Sequence, residues 1–243
     1  MSWAHPRLIA HRCGGALAPE NTLAGLRKAA EHGYRAVEFD VMLSGDGTPV
    51  LMHDETLERT TDGHGRVAET SDAELARLDA GSRHGAQFAG EPVPTFGAAA
   101  GLCLALGLWA NIEIKPSRGA DAETARKVAA RTRELWNGSA PPLLSSFSVA
   151  ALEAARETAP ELPRGLLVEK PPPDWPKLLH RLGCATLHCA RRHAGRRLIE
   201  EAGREGVPLL VYTVNDAEDA ATLLRQGVAA VFTDRIDLLA ELS

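Results

Sequence analysis

Short apolar runs rich in β-branched residues alternate along this chain with Ala-, Leu-, Glu- and Arg-rich stretches of helical period, the pattern of repeated βα units on a parallel sheet. The candidate strands are Leu8–His11, Val37–Leu43, Pro49–His53, Ala110–Lys115, Leu143–Phe147, Gly165–Val168, Ala185–Cys189, Pro208–Val214 and Ala230–Thr233. Only Ser44-Gly45-Asp46-Gly47 and Thr48 separate the second run from the third. A parallel neighbour needs a crossover of a dozen or more residues, so these two form an antiparallel hairpin. Without the return arm, eight parallel strands remain in 243 residues, which predicts one domain over 1–243, an α/β chain folded as a (β/α)8 barrel. Helices are expected over Asn21–His32, capped by Asn21 or Thr22, and over Ala217–Gln226, started by Asn215 or Asp216 and ended by Gly227. The stretch from about 54 to 94 breaks the rhythm. It carries turn residues and one short helix around Asp72–Leu78, and is expected to be an insertion capping the barrel mouth.

Functional groups of such a barrel sit where its strands end. In Val37-Glu38-Phe39-Asp40-Val41 the apolar residues share one face, and period two places both carboxylates on the other. Adjacent buried acids repel and need a cation, either a divalent metal or an ion-pair cluster with Arg12 and Arg35. The same alternation in Asn111-Ile112-Glu113-Ile114-Lys115 supplies a third carboxylate from another strand. Three oxygen donors without cysteine favour a hard ion such as Mg²⁺ or Ca²⁺, with Mn²⁺ as an alternative. The hairpin folds His53 back beside the acids, and the first strand ends in His11-Arg12. Two histidines, three acids, an arginine and a lysine at one mouth suit a single task, holding a phosphate and moving protons on both sides of it. Phe147, His188 and Tyr212 are candidate pocket residues, and a hydrogen-bonded core position is an equal alternative for His188.

Composition narrows the remaining classes. With 44% hydrophobic and 24% charged residues the chain is an ordinary globular one, and 27 Lys+Arg against 32 Asp+Glu leave no basic surplus for nucleic acid. The four cysteines show neither a CxxC pair nor zinc spacing and are expected to be reduced. His5, Pro6 and Arg7 interrupt any secretory apolar region, so the cytoplasm is the expected location. The uncharged run Thr95–Ile112 reads as a buried helix followed by a buried strand rather than a membrane span, since Gly97, Gly101, Gly107 and Asn111 fall within it.

The ordered set His11-Arg12, Pro19-Glu20-Asn21-Thr22, Glu38-Phe39-Asp40-Val41, Asp46-Gly47, His53 through Thr61, Glu113-Ile114-Lys115, Ser146-Phe147, Tyr212-Thr213-Val214-Asn215 and Phe232-Thr233-Asp234 resembles the glycerophosphodiester phosphodiesterase family over almost the whole chain. That resemblance implies a TIM barrel with a small inserted cap and hydrolysis of a glycerophosphodiester to an alcohol and glycerol 3-phosphate. It also implies that Glu38, Asp40 and Glu113 bind one divalent cation, that His11 and His53 form the acid/base pair, and that Arg12 and Lys115 hold phosphate oxygens. The expected partner is the small-molecule substrate, without stable membrane insertion, and a homo-oligomer is left open. The alternatives are a lysophospholipase D-like activity on acylated substrates and a non-catalytic barrel that binds glycerophosphodiesters.

Two positions depart from the family pattern. Cys13 stands where the family usually has glycine after His-Arg, and a side chain there is expected to narrow the approach to the phosphate if the position needs positive φ. Tyr212 stands where tryptophan is common, and its hydroxyl is expected to shift headgroup preference.

Overall fold

A computed structural model describes residues 3–238, so the two ends of the expected 1–243 domain lie outside the described residues. Its strands are β1 (Leu8–Ala10), β2 (Ala36–Leu43), β3 (Pro49–Leu51), β4 (Trp109–Ile114), β5 (Leu143–Ser146), β6 (Arg164–Val168), β7 (Thr186–Ala190), β8 (Leu209–Tyr212) and β9 (Ala230–Thr233). All pair in parallel except the β2–β3 hairpin, in the order β1-β9-β8-β7-β6-β5-β4-β2. The pairing of Ala10 with Val37 joins β1 to β2 and closes the barrel. At eight residues β2 outruns β1, and β3 pairs with its upper half through Val41–Leu51, Met42–Val50 and Leu43–Pro49. Several strands stop a residue or two short of their expected ends. His11, His53, Lys115 and Phe147 therefore stand just past the ladder, where their side chains are free to turn into the mouth.

The helices are α1 (Leu23–Glu31), α2 (Asp72–Leu75), α3 (Phe96–Leu106), α4 (Asp121–Leu135), α5 (Val149–Thr158), α6 (Trp175–Leu182), α7 (Arg196–Glu205) and α8 (Ala217–Gln226). Thr22 caps α1, its Oγ1 accepting the Gly25 N–H at 3.1 Å. Asp216 does the same for α8, which ends at Gly227 with φ of 107°. Alternation along β2 is as the sequence predicts: Val37, Phe39 and Val41 enter the core shared with α3 and α4, while Glu38 and Asp40 face inward. Ile9, Ala36, Leu210, Ala230 and Phe232 fill the barrel interior below them.

The expectation of a buried helix at Thr95–Ile112 needs correcting. Phe96, Ala99, Ala100 and Cys103 of α3 are buried, but Ala98, Gly101, Leu104 and Ala105 form an exposed outer face, because only one stripe of a barrel helix can reach the sheet. No helix among the described residues is long and apolar enough to cross a membrane.

Residues 54–94 fold around a small core of their own. Leu57, Val67, Leu75, Ala80 and Val93 pack against Met42, Val50 and Met52 of the hairpin. Ser71 and Glu74 form a reciprocal cap that starts α2, which stops at Leu75 rather than Leu78. Asp79 draws the following loop shut, accepting the N–H groups of Gly81, Ser82 and Gly90 at 2.8 Å each. The segment borders one side of the mouth. Its Arg59 and His84 stand near Glu20.

Candidate active site

The register of β2 against β4 sets Glu38 beside Asn111 and Asp40 beside Glu113, so the two strands present their acids in neighbouring layers of one wall. Glu38, Asp40 and Glu113 are all buried and offer carboxylate oxygens within 4.8 Å of one another. Their surroundings differ. Asp40 accepts from Asn21 Nδ2 at 2.9 Å and Lys115 Nζ at 3.3 Å, and its own N–H donates to Asn21 Oδ1 at 3.0 Å. Although burial favours its protonated form, the Lys115 charge with His53, Arg12 and the Asn21 bond holds its pKa below the ordinary value. Lys115 Nζ also lies 3.2 Å from Glu113. Burial and the charge of Asp40 push both Glu38 and Glu113 up. Glu38 Oε2 accepts the Arg12 backbone N–H at 2.9 Å, while its buried Oε1 has no hydrogen-bond partner. Arg35 is exposed at the opposite end of β2 and neutralises none of them. An all-oxygen donor set with an orphaned buried lone pair and too few cations fits a hard divalent ion.

Each histidine is oriented by a carboxylate. His11 Nδ1 donates to Asp234 Oδ1 at 2.7 Å and His53 Nδ1 to Asp54 Oδ1 at 2.6 Å, which leaves both Nε2 atoms for another partner. Burial lowers the proton affinity of both rings. For His11 the Asp234 hydrogen bond and the charges of Glu38 and Asp234 prevail and raise its pKa, whereas for His53 burial prevails over the Asp40 charge and lowers it.

These groups meet in a cavity of about 230 Å³, lined by His11, Arg12, Glu38, Asp40, His53, Asn111, Glu113 and Lys115 on its polar side and by Phe147, Leu167, Tyr212 and Phe232 on the other. All seven expected charged or histidine residues are present in that one cavity. Phe147 is 47% exposed and meets Tyr212 edge to face at 6.0 Å. The Tyr212 hydroxyl donates to the Val168 carbonyl at 3.0 Å, so the ring faces the cavity while the hydroxyl is committed elsewhere. His188 is not brought into the cavity. It is fully buried against Phe232, with Nε2 2.8 Å from Thr186 Oγ1.

Cys13 also differs from expectation. Its φ is +73°, and Arg12 before it is at +50°, so neither Gly14 nor Gly15 relieves the turn at these positions. The thiol, however, is fully buried in the core on the α1 and α3 side and does not narrow the approach to Arg12. All four cysteines are free and buried.

Local pattern missed the supporting residues. Asp54 was signalled by the His53-Asp54 dipeptide and Asp234 by its place after β9, but nothing along the chain marks Asn21 as the clamp on Asp40. Beyond His11 and Arg12 a second, open groove of about 780 Å³ runs past Glu20, His84, Asn215, Asp234 and Arg235.

The sequence profile of the Glycerophosphoryl diester phosphodiesterase family matches residues 11–238. A glycerophosphodiester phosphodiesterase of Caldanaerobacter subterraneus is 33% identical over 235 residues, 97% of this chain and 96% of that protein. Human glycerophosphodiester phosphodiesterase 1 is 36% identical over 152 residues, 62% of this chain and 45% of its own. An Oleispira antarctica phosphodiesterase, solved with its product sn-glycerol-3-phosphate, superimposes with a TM-score of 0.94 at 39% identity, covering 97% of this chain and 96% of that one.

Proposed function

The chain belongs to the glycerophosphoryl diester phosphodiesterase family, and on that premise we propose that it hydrolyses water-soluble glycerophosphodiesters to an alcohol and glycerol 3-phosphate at this barrel mouth. One observation carries the reading: a triad of buried carboxylates shares a cavity with two histidines whose Nδ1 atoms are each held by an acid. The Oleispira phosphodiesterase with bound sn-glycerol-3-phosphate supports the product.

In this reading Glu38, Asp40 and Glu113 hold one divalent cation, Mg²⁺ or Ca²⁺ with Mn²⁺ as alternative, which when bound supplies Lewis-acid neutralisation of phosphate charge. Arg12 and Lys115 stand at the polar wall to hold phosphate oxygens. His11 has the higher proton affinity and donates from Nε2 to the departing alkoxide, while His53, neutral near pH 7, accepts the nucleophile's proton at Nε2. The Asp234 bond that supports the His11 proton is made outside the acid triad. The apolar wall of Phe147, Leu167 and Tyr212 excludes water from one side of the phosphate. The proposed setting is glycerophospholipid breakdown in the cytoplasm.

The test is to treat the protein with chelator, restore Mg²⁺, Ca²⁺ or Mn²⁺ separately, and measure glycerol 3-phosphate from glycerophosphocholine and glycerophosphoethanolamine beside a Glu38→Ala control. Metal-restored release that the control lacks is expected. Choline release from lysophosphatidylcholine in a parallel assay, with no glycerol 3-phosphate from either deacylated substrate, would move the substrate class, and no release from any of the three would leave a binding barrel.

A further inference from the structure

One exposed side chain outside the cavity ties its two sides together. Arg59 belongs to the segment after β3, and its guanidinium meets two carboxylates in forked fashion. Nε and Nη2 donate to Asp54 at 2.5 and 3.1 Å, and Nη1 and Nη2 donate to Glu20 at 2.7 and 2.8 Å. Each carboxylate in turn holds a group that lines the cavity. Asp54 Oδ1 takes the His53 Nδ1 hydrogen at 2.6 Å, and Glu20 Oε1 accepts from Arg12 Nη1 at 3.1 Å. The result is an unbroken chain, Arg12, Glu20, Arg59, Asp54, His53, between the turn after β1 and the end of the hairpin. β1 and β3 share no ladder, so this chain supplies a direct link where backbone pairing supplies none.

We infer that Arg59 is a positioning residue, a strut that fixes the Arg12 guanidinium and the His53 imidazole at the separation one phosphodiester requires. The inference rests on the roles given to Arg12 and His53 in the proposed reaction. Arg59 is 47% exposed, so solvent screens the charge in these ion pairs and its main contribution lies in geometry. A planar fork bonded to two carboxylates has little freedom left, and an ångström of misplacement at a reacting centre costs on the order of 10²-fold in rate. Lysine, a single point charge, cannot replace both forks. Asp54 bears the mark of this arrangement: the Arg59 hydrogen bonds are the largest influence holding its carboxyl well below the usual carboxylate range.

The experiment is steady-state kinetics on glycerophosphocholine, with Tm for every variant, for wild type, Arg59→Gln and Arg59→Lys, and for Arg59→Gln placed in a Glu20→Ala/Asp54→Ala background. Arg59→Gln should lower kcat/KM by about 10–100-fold, while Tm moves by no more than about 2 °C. Asp54→Ala alone should act mainly by lowering kcat, through His53, and Glu20→Ala alone mainly by raising KM, through Arg12. Arg59→Lys should recover only part of the loss. In the double-alanine background Arg59→Gln should change kcat/KM by less than about twofold, since its effects run through those two carboxylates. Unchanged kinetics in Arg59→Gln, full recovery in Arg59→Lys, or the same fold loss in the double-alanine background would each overturn the strut. An inactive wild type would instead overturn the reading of the reaction beneath it.

Discussion

His188 and Gly165 show chemistry decided by neighbours on adjacent strands. The imidazole fits because Gly165 has no side chain, and a Cβ there would lie 2.7 Å from both His188 Nε2 and Thr186 Oγ1. Burial lowers the His188 pKa to about 3. The folded ring therefore stays neutral while the unfolded one takes a proton below about pH 6.5, so the unfolded state binds more protons between those values. Stability on this account falls with acidification through that window, by about 1.4 kcal/mol per pH unit from this residue, and is unaffected above it. Urea unfolding of wild type and His188→Gln at pH 7 and pH 5 should show the variant losing less on acidification; equal losses would contradict the account. The alternation in β7 points His188 inward but does not reveal its depth below the mouth, which depends on where neighbouring strands stop. The direction of the Cys13 thiol, into the core on the α1 and α3 side, was equally unreadable, since it follows from two consecutive residues at positive φ.

At the level of elements, the β2 and β4 patterns were legible because one face of each strand is apolar and the other charged, and a register slip would bury the wrong set. Helix starts were less so. Asn21 and Thr22 are both good caps, and so are Asn215 and Asp216. The structure gives the caps to Thr22 and Asp216 because Asn21 is engaged with Asp40 and Asn215 with Asp234. The seat of α1 against the turn carrying Arg12 is close: a Cβ on Gly25 would lie 2.9 Å from both Cys13 Cβ and Gly14 N, and 3.1 Å from the Pro19 carbonyl oxygen. Gly25→Ala must move backbone, at a cost of about 1–3 kcal/mol, and should also reduce turnover because Arg12 moves with the turn. Denaturation and kinetics together check this, and a variant as stable and as active as wild type would contradict it.

Across the whole molecule, the site is assembled by contacts that only barrel closure brings together. His11 and Asp234 are 223 residues apart, and Asp40 and Lys115 are 75 apart. Strand-end residues could be read as candidates because each strand delivers its last residues to one mouth. Their supporting hydrogen bonds depend on distances between loops, which carry no local period. The gathering of three acids in one wall also suits the proposed cation, because Glu38 and Glu113 hold protons more readily than ordinary carboxylates when none is bound. Binding a cation should expel those protons. The most direct test is to titrate Mn²⁺ into chelator-treated protein near neutral pH, following ion occupancy and proton release without substrate and glycerophosphocholine turnover in parallel samples. Turnover and proton release should rise together and saturate at one ion per chain, and a Glu113→Gln variant should bind more weakly. Full turnover without bound ion, or binding undiminished in that variant, would contradict the carboxylate site and the reaction built on it.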